Sequence, residues 1–207
     1  MTGIYANSIK DKTGTRQLAS DSGSAWSWGS GVPSSTIIQV KQSVKTDKES
    51  QTGTNTGSTK NQLAFIPAQG GSGHWYCDIT TTDSNKVLVC INLSFGVANA
   101  GHAVLYALYR STASDTVIGS STKLHYGTEP TTDQSAVTGQ DTIYSIAGSR
   151  SLSAMFLDSP SSGTHYYKIG YGAENGTSVT VNRQGSDVDT GFHASTVSSI
   201  TVFEVKA

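Results

Sequence analysis

Apolar and polar residues alternate along most of this chain with a period of two, the spacing of a strand with one buried face. The pattern is clearest near the end, where residues 164–171, 178–183 and 197–205 are separated by Gly, Ser, Asp and Asn. It extends backwards through 36–42, 63–66, 74–80, 86–95, 102–110, 116–119, 142–146 and 151–157. No segment carries the i, i+3, i+4 repeat of an amphipathic helix. Short strands punctuated by turn residues predict an all-β fold, an antiparallel β-sandwich of jelly-roll-like form.

The same parity predicts faces. Trp75, Cys77 and Ile79 form one inward set, and Val87, Val89, Ile91, Leu93 and Phe95 form the next, with a hairpin turn expected at 82–85. Cys90 then points away from the set that Cys77 joins, so two free thiols are expected. Residues 103–110 (AVLYALYR) and 155–157 (MFL) are apolar on both faces. A strand apolar on both sides needs a second cover, here expected to be a subunit interface in a homo-oligomer.

Residues 1–35 differ from the rest. They are glycine-rich and show only a trace of alternation at 4–9, yet they hold Trp26 and Trp28. Each indole carries about 150–250 Å² of buriable surface. An extended N-terminal arm docked on a neighbour is therefore expected, followed by a sandwich domain over 36–207 with an exposed loop at 43–61.

Composition narrows the function. Charged residues are 14% of the chain and the net charge is −1, which offers no nucleic-acid footprint. Residues 1–60 carry +3 and the remainder −4, a mildly basic front end suited to an acidic surface. No apolar run is long enough to insert in a membrane, and residues 1–7 lack the features of a signal peptide. The histidines are scattered singly, with no CxxC, HExxH or G-x-S-x-G, so neither a metal, a cofactor nor a catalytic centre is expected. Ser186-Asp187-Val188-Asp189 reads as a solvated turn, and 170–176 (GYGAENG) as a hairpin turn. Tyr166, Tyr171, Asn175 and Arg183, with Asn182, are candidate surface contacts to a glycan, since sugars favour flat aromatics beside hydrogen-bonding groups.

Four stretches carry a family likeness: 23–40 (GSAWSWGSGVPSSTIIQV), 86–96 (KVLVCINLSFG), 155–172 (MFLDSPSSGTHYYKIGYG) and 179–205, ending SSITVFEV. With them the chain resembles small virion structural proteins of tailed bacteriophages, of the marine and cyanophage type. The resemblance implies an N-terminal attachment arm, a jelly-roll-like head, a homotrimer and a place in the virion after synthesis in a host cytoplasm. It carries over no catalytic residue. The expected partners are sister chains, other virion proteins of capsid or tail, and a host surface glycan.

Two roles follow as expectations. In the first, the chain is a fibre or appendage module held by its arm (Ile4, Tyr5, Trp26 and Trp28 as anchors) that contributes to host-surface adsorption. In the second, it is a capsid decoration protein stabilising the phage head, a role favoured by the lack of a coiled-coil or repeat shaft. A depolymerase is disfavoured, because no fixed-period β-helix repeat is visible.

Overall fold

A computed structural model describes residues 8–10, 17–21, 25–28, 34–52, 63–82, 84–98, 101–124, 139–143, 149–173, 177–185 and 196–207. Two six-stranded antiparallel sheets form a β-sandwich. Sheet I orders β4 (Ile37–Lys45), β15 (Ser198–Val205), β8 (Lys86–Val97), β14 (Ser178–Val181) and β5 (Glu49–Thr52), with β12 (Arg150–Asp158) also paired to β8. Sheet II orders β10 (Thr122–Leu124), β9 (His102–Ser111), β13 (Gly163–Ala173) and β6 (Ala64–Phe65). Two more strands join it, β11 (Gly139–Ile143) on β9 and β7 (Tyr76–Thr81) on β13. The chain steps from β7 in sheet II to β8 in sheet I, back to β9, across to β12 and back again to β13, which is jelly-roll wrapping.

Alternation sets the core. Val87, Val89, Ile91, Leu93 and Phe95 of β8 and Ile200 and Val202 of β15 face Tyr106, Leu108, Tyr167, Ile169 and Tyr171 of sheet II. Each such Val, Leu or Ile contributes about 1.5–3 kcal/mol by leaving water. One polar clamp crosses the core edge. The Asp158 carboxylate of β12 accepts from Arg110 Nη1 at 2.6 Å and Tyr167 Oη at 2.9 Å, both from sheet II. Burial, and then the adjoining Asp158 charge, push the Tyr167 phenol far above its ordinary pKa, so it stays a donor.

Several expectations need correction. Residues 82–85 do not close a hairpin, because β7 and β8 lie in different sheets. Asn85 is buried there and donates to Glu204 Oε1 at 2.8 Å, so the segment is a sheet-to-sheet crossing pinned to β15. Part of the expected 43–61 loop is strand: β4 runs to Lys45, and β5 pairs with β14. Residues 53–61 of that loop lie outside the described residues. At 116–119 the structure has a 3-10 turn (Ile118–Ser120) where a strand was expected. The strand expected at 142–146 overlaps β11 (Gly139–Ile143) at 142–143, and 144–146 lie outside the described residues. Of the turn expected at 170–176, residues 170–173 belong to β13, and 174–176 lie outside the described residues. Residues 1–35 contain an antiparallel three-stranded sheet of β1 (Ser8–Lys10), β2 (Gln17–Asp21) and β3 (Ala25–Trp28). Such strands of three to five residues are too short to announce themselves by period alone.

The two cysteines are free. Cys77 faces the core from β7, and Cys90 lies on the outer side of β8, as the parity predicts.

The correction with most consequence concerns 103–110. Leu105, Ala107 and Tyr109 form the outer face of β9, yet they are buried by the chain itself. Leu63, Phe65 and Ile118 close over them in a second, small core. Gly170 makes this possible: a Cβ there would meet Tyr109 Cε2 at 2.8 Å and Ile118 Cδ1 at 2.9 Å. Lys168, fully buried, donates to the carbonyls of Ala113 and Thr116 (3.1 and 3.0 Å) and holds that loop over the cluster. Its ammonium also lies 5.1 Å from the centre of the Phe65 ring, a cation–π contact.

Candidate functional site

On one side of the sandwich two strand edges that are unpaired among the described residues meet, β4 of sheet I and β7 of sheet II, and between them runs a groove of about 500 Å³. Its inner wall is fixed by Trp75, whose indole N–H donates to Ser43 Oγ at 2.9 Å while the ring packs in the core. At the rim, Lys41 Nζ of β4 meets Asp78 Oδ2 of β7 at 2.8 Å. That hydrogen bond raises the Lys41 ammonium above its ordinary 10.5, against the opposing effect of burial.

One end of the groove is a loop that only glycine-rich sequence can form. Gly70, Gly71 and Gly73 all take positive φ (82°, 83° and 77°), where a side chain would be strained. The loop reaches across to the β4–β5 turn, with Gln69 Nε2 donating to Thr46 Oγ1 at 3.1 Å and the Gly70 N–H to Asp47 Oδ2 at 3.0 Å. Burial would raise the Asp47 carboxyl, but hydrogen bonds from Lys45 and the Gly70 amide outweigh it and hold its pKa below the ordinary 3.8. His74 closes the loop with its ring edge-on to Phe65, centroids 5.0 Å apart. Burial, and then the nearby Lys168 charge, lower the His74 pKa from its usual 6.5.

Beside the Lys41–Asp78 pair, Tyr76 and Tyr166 stack edge to face at 5.1 Å and 82°. Both are half-buried and outward on sheet II, because β13 pairs Tyr166 with Asp78 and Lys168 with Tyr76. Thr80 and Thr164 continue the strip, with their hydroxyls 2.9 Å apart. The result is an aromatic step flanked by an ion pair and hydroxyls, able to stack on a ring and to donate and accept hydrogen bonds along its edge. Among the described residues no group of His, Cys, Asp and Glu could hold a metal ion, and no helix is long and apolar enough to cross a membrane. The Cys77 thiol beneath the groove is pushed up to about 11 by burial and then by Asp78, which leaves it a poor nucleophile.

The residues singled out from sequence do not share one surface. Tyr166 sits on the strip just described. Tyr171 is corrected: it is 2% exposed and faces the core, because it falls on the inward parity of β13 between Gly170 and Gly172. Asn182 is fully buried at φ 61°, donating to the carbonyls of Lys45 (2.8 Å) and Asp47 (3.0 Å) and accepting from Ser198 Oγ (2.7 Å). It knits three strand ends together and has no donor left for a ligand. Arg183 follows it on the sheet I side, with its carbonyl accepting from Thr180 Oγ1 at 3.0 Å. Ile4, Tyr5 and Asn175 lie outside the described residues, as do the side chains of Trp26 and Trp28.

Lys41, Tyr76 and Asp78 were not singled out from sequence. Their strands were legible, but the approach of β4 to β7 is a contact between sheets that periodicity does not encode. The one local signal was QGGSG at 69–73, a run that needs left-handed backbone.

No family model and no curated protein matches the chain. Among solved structures it is similar to that of infectious bursal disease virus, Gx strain, at 10% identity and a TM-score of 0.41, over 93% of this chain and 43% of that one. The infectious bursal disease virus VP2 subviral particle gives 10% identity and a TM-score of 0.36, over 91% of this chain and 47% of that one. A bacterial lipoprotein from Bacteroides thetaiotaomicron gives 11% identity and a TM-score of 0.25, over 84% and 86%. The chain thus spans less than half the length of either viral protein. Overlaps this partial leave the function to be argued from the chain's own surfaces.

Proposed function

We propose that this chain is a non-catalytic virion structural protein of a tailed bacteriophage, a fibre or appendage module that contributes to adsorption on a host surface glycan. The sequence likeness at 155–172 and 179–205 supports the phage assignment. The observation that carries the adsorption reading is the strip of Tyr76, Tyr166 and the Lys41–Asp78 pair beside an open groove. Aromatic faces beside hydrogen-bonding groups suit a saccharide, and a shallow groove suits weak contacts made many times over on one particle. The arm, residues 1–35, serves attachment to the particle.

A glycan array probed with the full chain tests the binding step. We expect wild-type protein to bind at least one surface glycan, and Tyr76→Ala with Tyr166→Ala to weaken that binding at least tenfold. Equal binding by wild type and the double variant sinks the groove as the glycan site. Cryo-EM of virions labelled with an antibody fragment against residues 86–205 tests the location. Label on sparse projections or the tail agrees with adsorption. Regular label over the shell assigns the protein to capsid decoration instead.

A further inference from the structure

Among the described residues, nothing covers the outer face of sheet I. Val40, Phe203, Leu88 and Leu157 stand side by side across four strands in direct register, and Gln42, Thr201, Cys90 and Met155 form the next row. Met155 is 67% exposed, Val40 53% and Leu157 49%, and the flanking row of Ile37 and Val205 ends the uncharged area at Lys86. The row beyond is Val44, Ser199, Asn92 and Ser153. These three rows hold no charged residue, although 14% of the chain is charged. A sheet face that meets water in an antiparallel sandwich is normally polar and charged.

We propose that this face is covered by a second copy of the same chain, stacked sheet against sheet. Three features favour a sister chain. An uncharged face meets its own copy without repulsion, so identical surfaces are compatible. Four strands over the five residues that the three rows span measure roughly 19 by 17 Å, the centre of a patch whose rim supplies the rest of the ~800 Å² that each partner gives to a standard interface. Some of the polar groups are already paired within the face, Gln42 Nε2 donating to Thr201 Oγ1 at 2.9 Å and Ser153 Oγ to Asn92 Oδ1 at 3.2 Å, which lowers the number that a cover must satisfy.

The face is also graded, and the gradient orients the copies. Its apolar rows lie at the end where Ser35 and Thr36 are hydrogen-bonded to Lys206, which is where the arm leaves the sandwich. Apolar rows meet apolar rows only if the copies align these ends. The assembly therefore directs its arms the same way, as attachment to one surface requires. This inference does not depend on glycan binding, and it stands whether the particle site is head or tail.

The test is sedimentation of the full chain combined with labelling of its two thiols. Cys90 lies in the middle of the face and Cys77 is buried within the monomer, so each chain carries its own probe and its own folding control. We expect wild type to sediment as an oligomer with both thiols protected. Met155→Glu with Leu157→Glu should reduce it to a monomer in which Cys90 labels at least tenfold faster while Cys77 stays protected. Val117→Glu, an exposed substitution away from this face, should leave the oligomer intact. A wild-type monomer, or an oligomer unaffected by the double variant, overturns the proposal. A monomer with Cys90 protected until Trp26→Ser and Trp28→Ser are introduced also overturns it, and gives the face to the chain's own arm.

Discussion

The two sheets turn apolar side chains outward in two places, and the fold treats them in opposite ways. On sheet II, Leu105, Ala107 and Tyr109 lie under Leu63, Phe65 and Ile118 of the same chain. On sheet I, Val40, Met155 and Leu157 stay exposed. Only the former is a second core. The difference is one of covering segments: sheet II has Lys168 gripping the 113–116 loop and Gly170 leaving room beneath it. Outward apolar parity therefore has two meanings, closure within a chain or contact beyond it, and only the surroundings distinguish them.

Removing the cover should show the contrast at full size. Phe65→Ala deletes the centre of the lid and should lower stability by about 3–5 kcal/mol, read by denaturant unfolding. If Leu157→Ser costs as much in a dilute, monomeric sample, the two faces are alike and the contrast is lost. Gly170→Ala should cost about 1–3 kcal/mol through overpacking against Tyr109 and Ile118. A stabilising result would mean the lid is loose.

The pH dependence of the lid is a smaller effect. His74 packs on Phe65 with a pKa below its ordinary 6.5. The unfolded chain therefore takes up its proton first, and stability falls as pH drops from about 6.5 through the lower folded value. His74→Gln should flatten thermal unfolding midpoints compared between pH 7.5 and pH 5. An unchanged slope would remove His74 as its source. Smallest of all, Met155→Ser in the dilute monomer should shift stability by no more than about 0.5 kcal/mol, because Met155 is 67% exposed.

Legibility in the sequence followed the range of the interaction. The inward set of β8 and the outward position of Cys90 were readable because both depend only on parity within one strand. The strip was half readable: Tyr166 was in view, whereas Tyr76 and the Lys41–Asp78 pair join it through a contact between sheets. Asn182 and Tyr171 were misread because a polar group or an aromatic ring looks the same in sequence whether it ends up outside the fold or inside it. Burial on an edge or in a core is decided by partners far away in the chain, as with Asn182 and Lys45.

Sequence alone determined that the protein is built of strands, and which residues of each strand share a face, since side chains alternate at every residue whatever the strand pairs with. Tertiary structure decided which sheet each strand joins, as at 82–85, where a presumed hairpin turned out to cross between sheets. It decided too which outward apolar face is closed by the described residues and which stays exposed. Those outcomes depend on pairings between segments distant in sequence, made at the same time by many weak contacts, and no local pattern carries them.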